Sequence, residues 1–348
     1  MRAYLFVIVA VCCLVAMNGC RKSEEPKVPT TTQPGSTRTV EAPVTTEPPL
    51  SGSGGSLSPA DDKDDPQFGL LFPASRKAGD WVKTEPVRGD PFKALAEFLP
   101  NLAEYLAPFA GEVIATATYQ RTAQGKIETA KVHIIRAKNA DDAYGMMSVS
   151  SPGADVYRGG QVWRRPAAGQ IRVAKGTYFG LFDGPADGLD VLAEKMFFEL
   201  ADQAEVPMVV QLLQTERLPV KTTVFVRNLK SLQGPAGQDI LKAVGLETFD
   251  KMNKLLRLGP NVDLAIALYT DPDWLGADVV WLAQYPTNNQ ALEVARRYRQ
   301  VLNKPRLTDP LDRNTLLKGP LKRFLLGTWT METESMAHLM NQIQGSLP

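Results

Sequence analysis

Two histidines, His133 and His338, are the only imidazoles in 348 residues, and they bound the chemistry the chain can run. A three-histidine metal site is impossible, and a hydroxyl nucleophile with an imidazole base has only these two to draw on. His133 falls on the mixed, non-core face of an alternating run. His338 lies off the Met336, Leu339, Met340, Ile343 stripe of a C-terminal helix. Both read as surface positions, and neither is accompanied by a GxSxG elbow or a metal-ligand partner at helical spacing. The three cysteines, Cys12, Cys13 and Cys20, all lie within the first twenty residues. Disulfides and cysteine-ligated metals are thereby excluded from the rest of the chain. The dense glycine runs, Gly52 to Gly55 and Gly159-Gly160, form neither a P-loop nor a dinucleotide fingerprint. No cofactor and no metal are expected.

Carboxylates are more plentiful. Asp141-Asp142 opens a predicted helix, where negative charge is favoured by the positive end of the helix dipole. Adjacent residues do not converge on one substrate. Acids distant in the chain can converge in space, so a carboxylate-based extracytoplasmic hydrolase stands as the alternative function. The segment from Tyr157 to Arg165 (YRGGQVWRR) offers a different chemistry. Tyr157, Arg158, Trp163, Arg164 and Arg165 place aromatic walls and fixed positive charge on a loop-rich stretch, a combination typical of binding an anionic group or a protein partner. Trp163 as core filler is the competing reading. The balance of 39 basic against 38 acidic residues, formal net charge +1, supplies no broad positive field, so nucleic acid is not an expected partner.

These residues must be positioned by elements that recur along the chain. Ala115-Thr-Ala117-Thr-Tyr119 matches Ala265-Ile-Ala267-Leu-Tyr269, each with the alternation of a half-buried strand. In the first copy a turn at Gln124-Gly125 leads to a return strand, 127 to 136, with Ala130, Val132 and Ile134 on one face. In the second, the turn at 271–276 leads to a return strand over 277 to 285. Each hairpin runs into a helix, the first opened by Asn139 and the second by the capping box Thr287 to Gln290. Lys175-Gly176 then leads a strand ending Gly180-Leu181-Phe182, and Lys318-Gly319 one ending Gly327-Thr328-Trp329; a helix follows each. Asp90-Pro91 reads as a further helix start. The pattern predicts an α+β fold of two similar halves, 68–205 and 206–348, each an antiparallel sheet with packed helices. A ligand crevice is expected at the junction of the halves, with 157–165 contributing to it.

Upstream of the repeats the composition changes. Residues 4–17 are an unbroken apolar run, too short for a spanning helix of roughly 20 residues and closed by Asn18 and Arg21-Lys22. The end of this run, Leu14 to Cys20 (LVAMNGC), resembles the bacterial lipoprotein signal: Gly19 and Cys20 match, while Met17 and Asn18 depart from the commoner residues. The resemblance implies a signal peptide over 1–19 and acyl chains on Cys20 that anchor the protein to a membrane of the cell envelope. Residues 20–67, rich in Pro, Thr, Ser and Gly and poor in large apolar groups, read as a disordered tether. The folded region beyond it is then extracytoplasmic. Within that region, Gly79-Asp80-Trp81, the AxAxY strand and Asp142-Ala143-Tyr144-Gly145 resemble an uncharacterised bacterial domain family of exported proteins. That resemblance implies a fold and carries no activity. Together these readings point to a non-catalytic envelope protein that binds a ligand or a partner.

Overall fold

Alternating apolar residues over 111–137 build the longest pair of strands, and a turn with positive φ at Gln124 (50°) and Gly125 (75°) joins them. That backbone matches strand twist, and glycine enters it without a side-chain clash. The computed structural model describes residues 72, 78–198, 200, 205–214, 220–245, 249–270, 277–302, 316–330 and 334–348. The signal, Cys20, the tether and the expected turn at 271–276 lie outside the described residues. All described residues belong to one unit, Gly55–Pro348, and among them no helix is long and apolar enough to cross a membrane.

The fold is α+β, with two antiparallel sheets. The first contains β1 (Val82–Lys83), β2 (Arg88–Pro91), β3 (Gly111–Ala123), β4 (Lys126–Ala137), β5 (Val156–Arg158), β6 (Gln161–Arg164), β7 (Gln170–Lys175) and β8 (Tyr178–Asp183), in the order β1-β3-β4-β8-β7-β6-β5 with β2 also on β3. The second contains β9 (Val220–Val226), β10 (Asp263–Thr270), β11 (Ala277–Gln284), β12 (Leu316–Leu321) and β13 (Phe324–Thr328), in the order β12-β13-β11-β10-β9. The described helices are α1 (Leu95–Phe98), α2 (Pro100–Leu106), α3 (Ala140–Ser150), α4 (Leu189–Phe198), α5 (Met208–Leu213), α6 (Gln238–Val244), α7 (Asp250–Leu256), α8 (Asn288–Leu302) and α9 (Glu334–Ser346). The helix expected at Asp90-Pro91 begins later. Both residues belong to β2, and Pro91, in extended backbone, precedes a 3-10 turn at Phe92–Ala94. Proline suits both roles, because its fixed φ fits a sheet margin as well as a helix entry.

Both faces of the first sheet are covered. Ala115, Ala117, Tyr119, Ala130, Val132, Ile134 and Phe182 share the face that packs on α4. Ile114, Ile135, Phe179, Ala174 and Val162 share the other, which packs on α3. Helix α3 is buried on every side from Asp142 to Ser150, as a helix with no polar face must be. Its far side meets β9 of the second sheet. A Cβ on Gly145 would fall 2.3 Å from the Phe109 ring and 2.9 Å from that of Phe225, so glycine lets the helix approach both. Beyond the second sheet, α8 packs Tyr298 against Trp281 with the rings tilted by 49°, and Trp329 donates its indole N–H to the Tyr298 hydroxyl at 3.3 Å. Thr287 accepts from the Gln290 N–H at 3.3 Å and Asn139 from the Asp142 N–H at 2.8 Å, as expected of the two helix starts.

The succession β3-β4-β8-β7 in one sheet has the same hairpin order as β10-β11-β13-β12 in the other. Register sets a limit on the correspondence. Ala115 pairs through Ile134 to Gly180, whereas Ala265 pairs through Leu282 to Leu326, not to Gly327. One residue of offset puts a side chain on the opposite face. Gly327 accordingly makes room for the Trp281 ring on the α8 side.

His133 is not a surface residue. It is 3 % exposed, on the α3 side of β4, with Nδ1 at 2.7 Å from the Thr116 hydroxyl. Strand alternation places it correctly off the Ala130, Val132, Ile134 face; the second face is covered as well, which alternation cannot reveal. Burial, then the charges of Lys131 and Arg172, push its pKa down to about 4. The unfolded chain therefore binds a proton at this site between about pH 6.5 and 4 that the folded chain refuses, so stability is present above this window and lost as pH falls through it. The expected slope from this group approaches about 1.4 kcal/mol per pH unit. Urea unfolding of wild type and His133→Leu at pH 7 and pH 5 should show a smaller pH difference in the variant.

Candidate functional site

The segment 157–165 is a β-hairpin, not a loop: β5 and β6 pair Val156 with Trp163, Tyr157 with Val162 and Arg158 with Gln161. Pleating then splits the five expected site residues between two faces. Trp163 faces α4, packed in the core at 2 % exposure. Arg158 lies on that side too, its guanidinium 5.7 Å from the Trp163 ring centroid and 3.9 Å from Asp190. Arg165 holds the same Asp190 through both carboxylate oxygens. Tyr157 and Arg164 belong to the α3 side. The five do not converge on one ligand, and the assignment of Trp163 and Arg164 to a binding surface is corrected by their burial.

Arg164 is fully occupied within the protein. Its Nε donates to Asp155 at 2.6 Å, Nη1 to the carbonyls of Ser148 and Ser151 at 3.0 and 2.9 Å, and Nη2 to the Thr223 carbonyl at 2.8 Å and the Tyr144 hydroxyl at 3.4 Å. All five N–H groups of the guanidinium are thus used. Asp155 also accepts from Tyr144 at 2.7 Å and from Gln214 at 3.2 Å. Burial, opposed in part by Arg164 and reinforced by Asp155, pushes the Tyr144 hydroxyl well above the usual phenol range. Thr223 lies on β9, at the margin of the second sheet. Nearby, Ser148 of α3 accepts from the Phe225 N–H at 2.9 Å. Side chains from β6 and α3 therefore satisfy backbone groups on this edge strand.

The adjacent acids of α3 part company at the other end of the helix. Asp142 is buried and bonds Arg227 at 3.0 Å; Arg227 also bonds Asp263 and stacks 4.8 Å over the Phe225 ring. Asp142 is therefore half of a buried ion pair and not merely a charge at a helix dipole. Asp141, one residue earlier and so about 100° around the helix, lines a cleft of about 580 Å³ with Tyr157, Glu205, Val206, Pro207, Met208 and Gln211. Burial and then Asp263 push its carboxyl up; Arg227 opposes, Asp142 and Glu205 add, and the pKa stands at about 6. Tyr157 at 57 % and Met208 at 41 % exposure are large apolar side chains left in solvent, both on this cleft. This is the candidate site. Of the residues expected from sequence it retains only Tyr157, and it adds Asp141, Glu205, Met208 and Gln211. Of the residues added, only Asp141 had a sequence signal, the Asp141-Asp142 pair.

Other chemistry is thinly provided. Among the described residues no group of three or more His, Cys, Asp or Glu is arranged to hold a metal ion. The Thr116–His133 contact pairs a hydroxyl with an imidazole, but neither residue lines the clefts seen at Asp141, Arg257 or Arg165. No family model, curated protein or solved structure matches this chain. The site must be read from its own geometry.

Arg164→Ala strips a buried carboxylate of its partner and leaves three carbonyls undonated, so a loss of about 3–5 kcal/mol is expected by urea unfolding. Arg158→Ala, at a half-exposed pair, should cost no more than about 1 kcal/mol. Equal losses in the two variants would contradict this placement.

Proposed function

We propose that the chain is a lipoprotein of the bacterial cell envelope, held to a membrane by acyl chains on Cys20, whose folded region binds a ligand or partner without breaking bonds. The observation that carries the binding half is the cleft at Tyr157. An aromatic and a thioether side chain stand in solvent beside two carboxylates, and such mixed walls suit recognition. The buried charges nearby are committed to one another: Arg164 to Asp155, and Arg227 to Asp142 and Asp263. The anchoring half rests on the lipobox-like end at Gly19-Cys20 and on the tether composition of 20–67. The duplication of 68–205 in 206–348 is likewise a proposal, supported by the shared hairpin order of the two sheets.

One observation favours the alternative, a carboxylate-based hydrolase. Burial pushes the Asp141 carboxyl up to about 6 in an open cleft that Glu205 also lines, and a raised carboxyl suits a general acid. A thermal-shift screen of small ligands separates the readings. A ligand that raises the melting temperature of wild type, leaves that of Tyr157→Ala unmoved and is recovered intact by mass spectrometry supports binding. A ligand recovered cleaved, with cleavage lost in Asp141→Asn, supports the hydrolase.

Anchoring has its own test. Cells grown with labelled palmitate should yield a labelled, membrane-bound wild type, while Cys20→Ser should be unlabelled and leave the membrane fraction. Equal labelling of both would remove Cys20 as the lipid site.

A further inference from the structure

The charge around the cleft at Tyr157 is out of balance in a way that selects a ligand. Among the described residues, the groups acting on the Asp141 carboxyl are Asp263, Asp142 and Glu205, all acidic, and one cation, Arg227. Tyr157 lines the same cleft, and Asp155 and Arg164 act on that tyrosine. Asp142 and Asp263 both bond Arg227, so this guanidinium is already matched by two carboxylates. Four carboxylates against one guanidinium leave a local excess of three negative charges when all are ionised. Asp141 and Glu205 are the two acids of this group that line the cleft.

Tyr157, Val206, Pro207 and Met208 line the cleft together with the two acids, and Gln211 supplies a neutral amide. A volume of about 580 Å³ lies within the range of about 300–1,000 Å³ that holds small organic ligands. A hard metal ion would need six or more oxygens, and no metal-binding group of three or more acids, histidines or cysteines occurs among the described residues. An organic cation needs less: an ammonium has three rotatable donors for two carboxylates, and its body gains from burial against an aromatic face.

We propose that this cleft binds a primary ammonium carried on an apolar body, with the ammonium between Asp141 and Glu205 and the body against Tyr157 and Met208. The proposal rests on the binding reading above and gives that reading a ligand class. It departs from the anionic ligand that Arg158, Arg164 and Arg165 led us to expect. Those arginines are matched by Asp155 and Asp190, whereas the cleft acids form no ion pair among the described residues. The raised titration of Asp141 fits this view. Burial first, and then the neighbouring acid Asp263, favour the protonated carboxyl, and an ammonium held against it can take the proton's place.

Three probes with one shared body decide the matter: 2-phenylethylammonium, 2-phenylethanol and 3-phenylpropionate, titrated by calorimetry into the full chain in detergent. At pH 7.5 the ammonium should bind at least tenfold more tightly than the alcohol, and the carboxylate should show no binding. Asp141→Asn should weaken the ammonium at least tenfold with the melting temperature retained, and Glu205→Gln should weaken it in the same direction. Because Asp141 takes up a proton near pH 6, the ammonium should bind about tenfold more weakly at pH 5 than at pH 7.5. Equal binding of the alcohol, or tighter binding of the carboxylate, overturns the ammonium assignment and leaves the cleft a binding site. Binding of none of the three overturns it as well; the thermal-shift comparison with Tyr157→Ala then judges the wider reading by itself. Wild-type affinity in both carboxylate variants overturns it too.

Discussion

One buried guanidinium joins the two sheets. Arg164 leaves β6 of the first sheet and donates to the end of α3, to the chain that follows it, and to Thr223 on the margin of the second sheet. An isolated charge in this position would be prohibitive, and it is tolerated only because Asp155 sits at 2.6 Å and every donor has an acceptor. The arrangement solves two problems with one side chain. The end of a helix needs donors for its carbonyls, and an edge strand needs its free carbonyls covered against stray pairing. Ser148 performs the complementary task for the Phe225 N–H.

That constraint fixes α3, and α3 fixes the cleft. The helix is buried from Asp142 onward, clamped at its C-terminal end by Arg164 and near its start by the Asp142–Arg227 pair. Only its first turn reaches solvent, and Asp141 is the acid it presents there. Tyr157 comes from the strand paired with β6, so the network around Arg164 and Asp155 also sets the aromatic wall. The cleft thus has rigid elements on one side, which is what a site that discriminates between ligands requires. Val206, Pro207 and α5 complete the lining, and Gln214, next to α5, bonds the same Asp155.

Much of the fold was legible. Period-two alternation identified β3, β4, β10 and β11, and side-chain caps identified the starts of α3 and α8, because strand pleat and helix-end bonding are local matters. The errors share one cause. His133 read as exposed because its neighbours on that face, Lys131 and Thr129, are polar and indeed exposed, yet the face is covered where His133 sits, by elements whose position no local pattern encodes. Trp163 and Arg164 read as a binding surface on composition alone. Adjacent residues in a strand point to opposite faces, so a run of aromatic and basic residues must divide, and here both of these divide into the interior.

The sequence by itself determined the two long hairpins and the helices that follow them, the absence of cysteine from the folded region and the shortage of imidazole. Each of these depends only on residue type and short-range spacing. Which charges are spent inside the protein and which face a ligand was decided by tertiary structure alone. Asp141 and Asp142 are neighbours of the same type, and the sequence cannot rank them. The fold places Arg227, 85 residues away from Asp142, within hydrogen-bond reach of one acid and leaves the other in an open cleft. The physical reason is that the pairing of buried charges is a long-range property: desolvation demands a partner, and only the folded chain determines which partner is near.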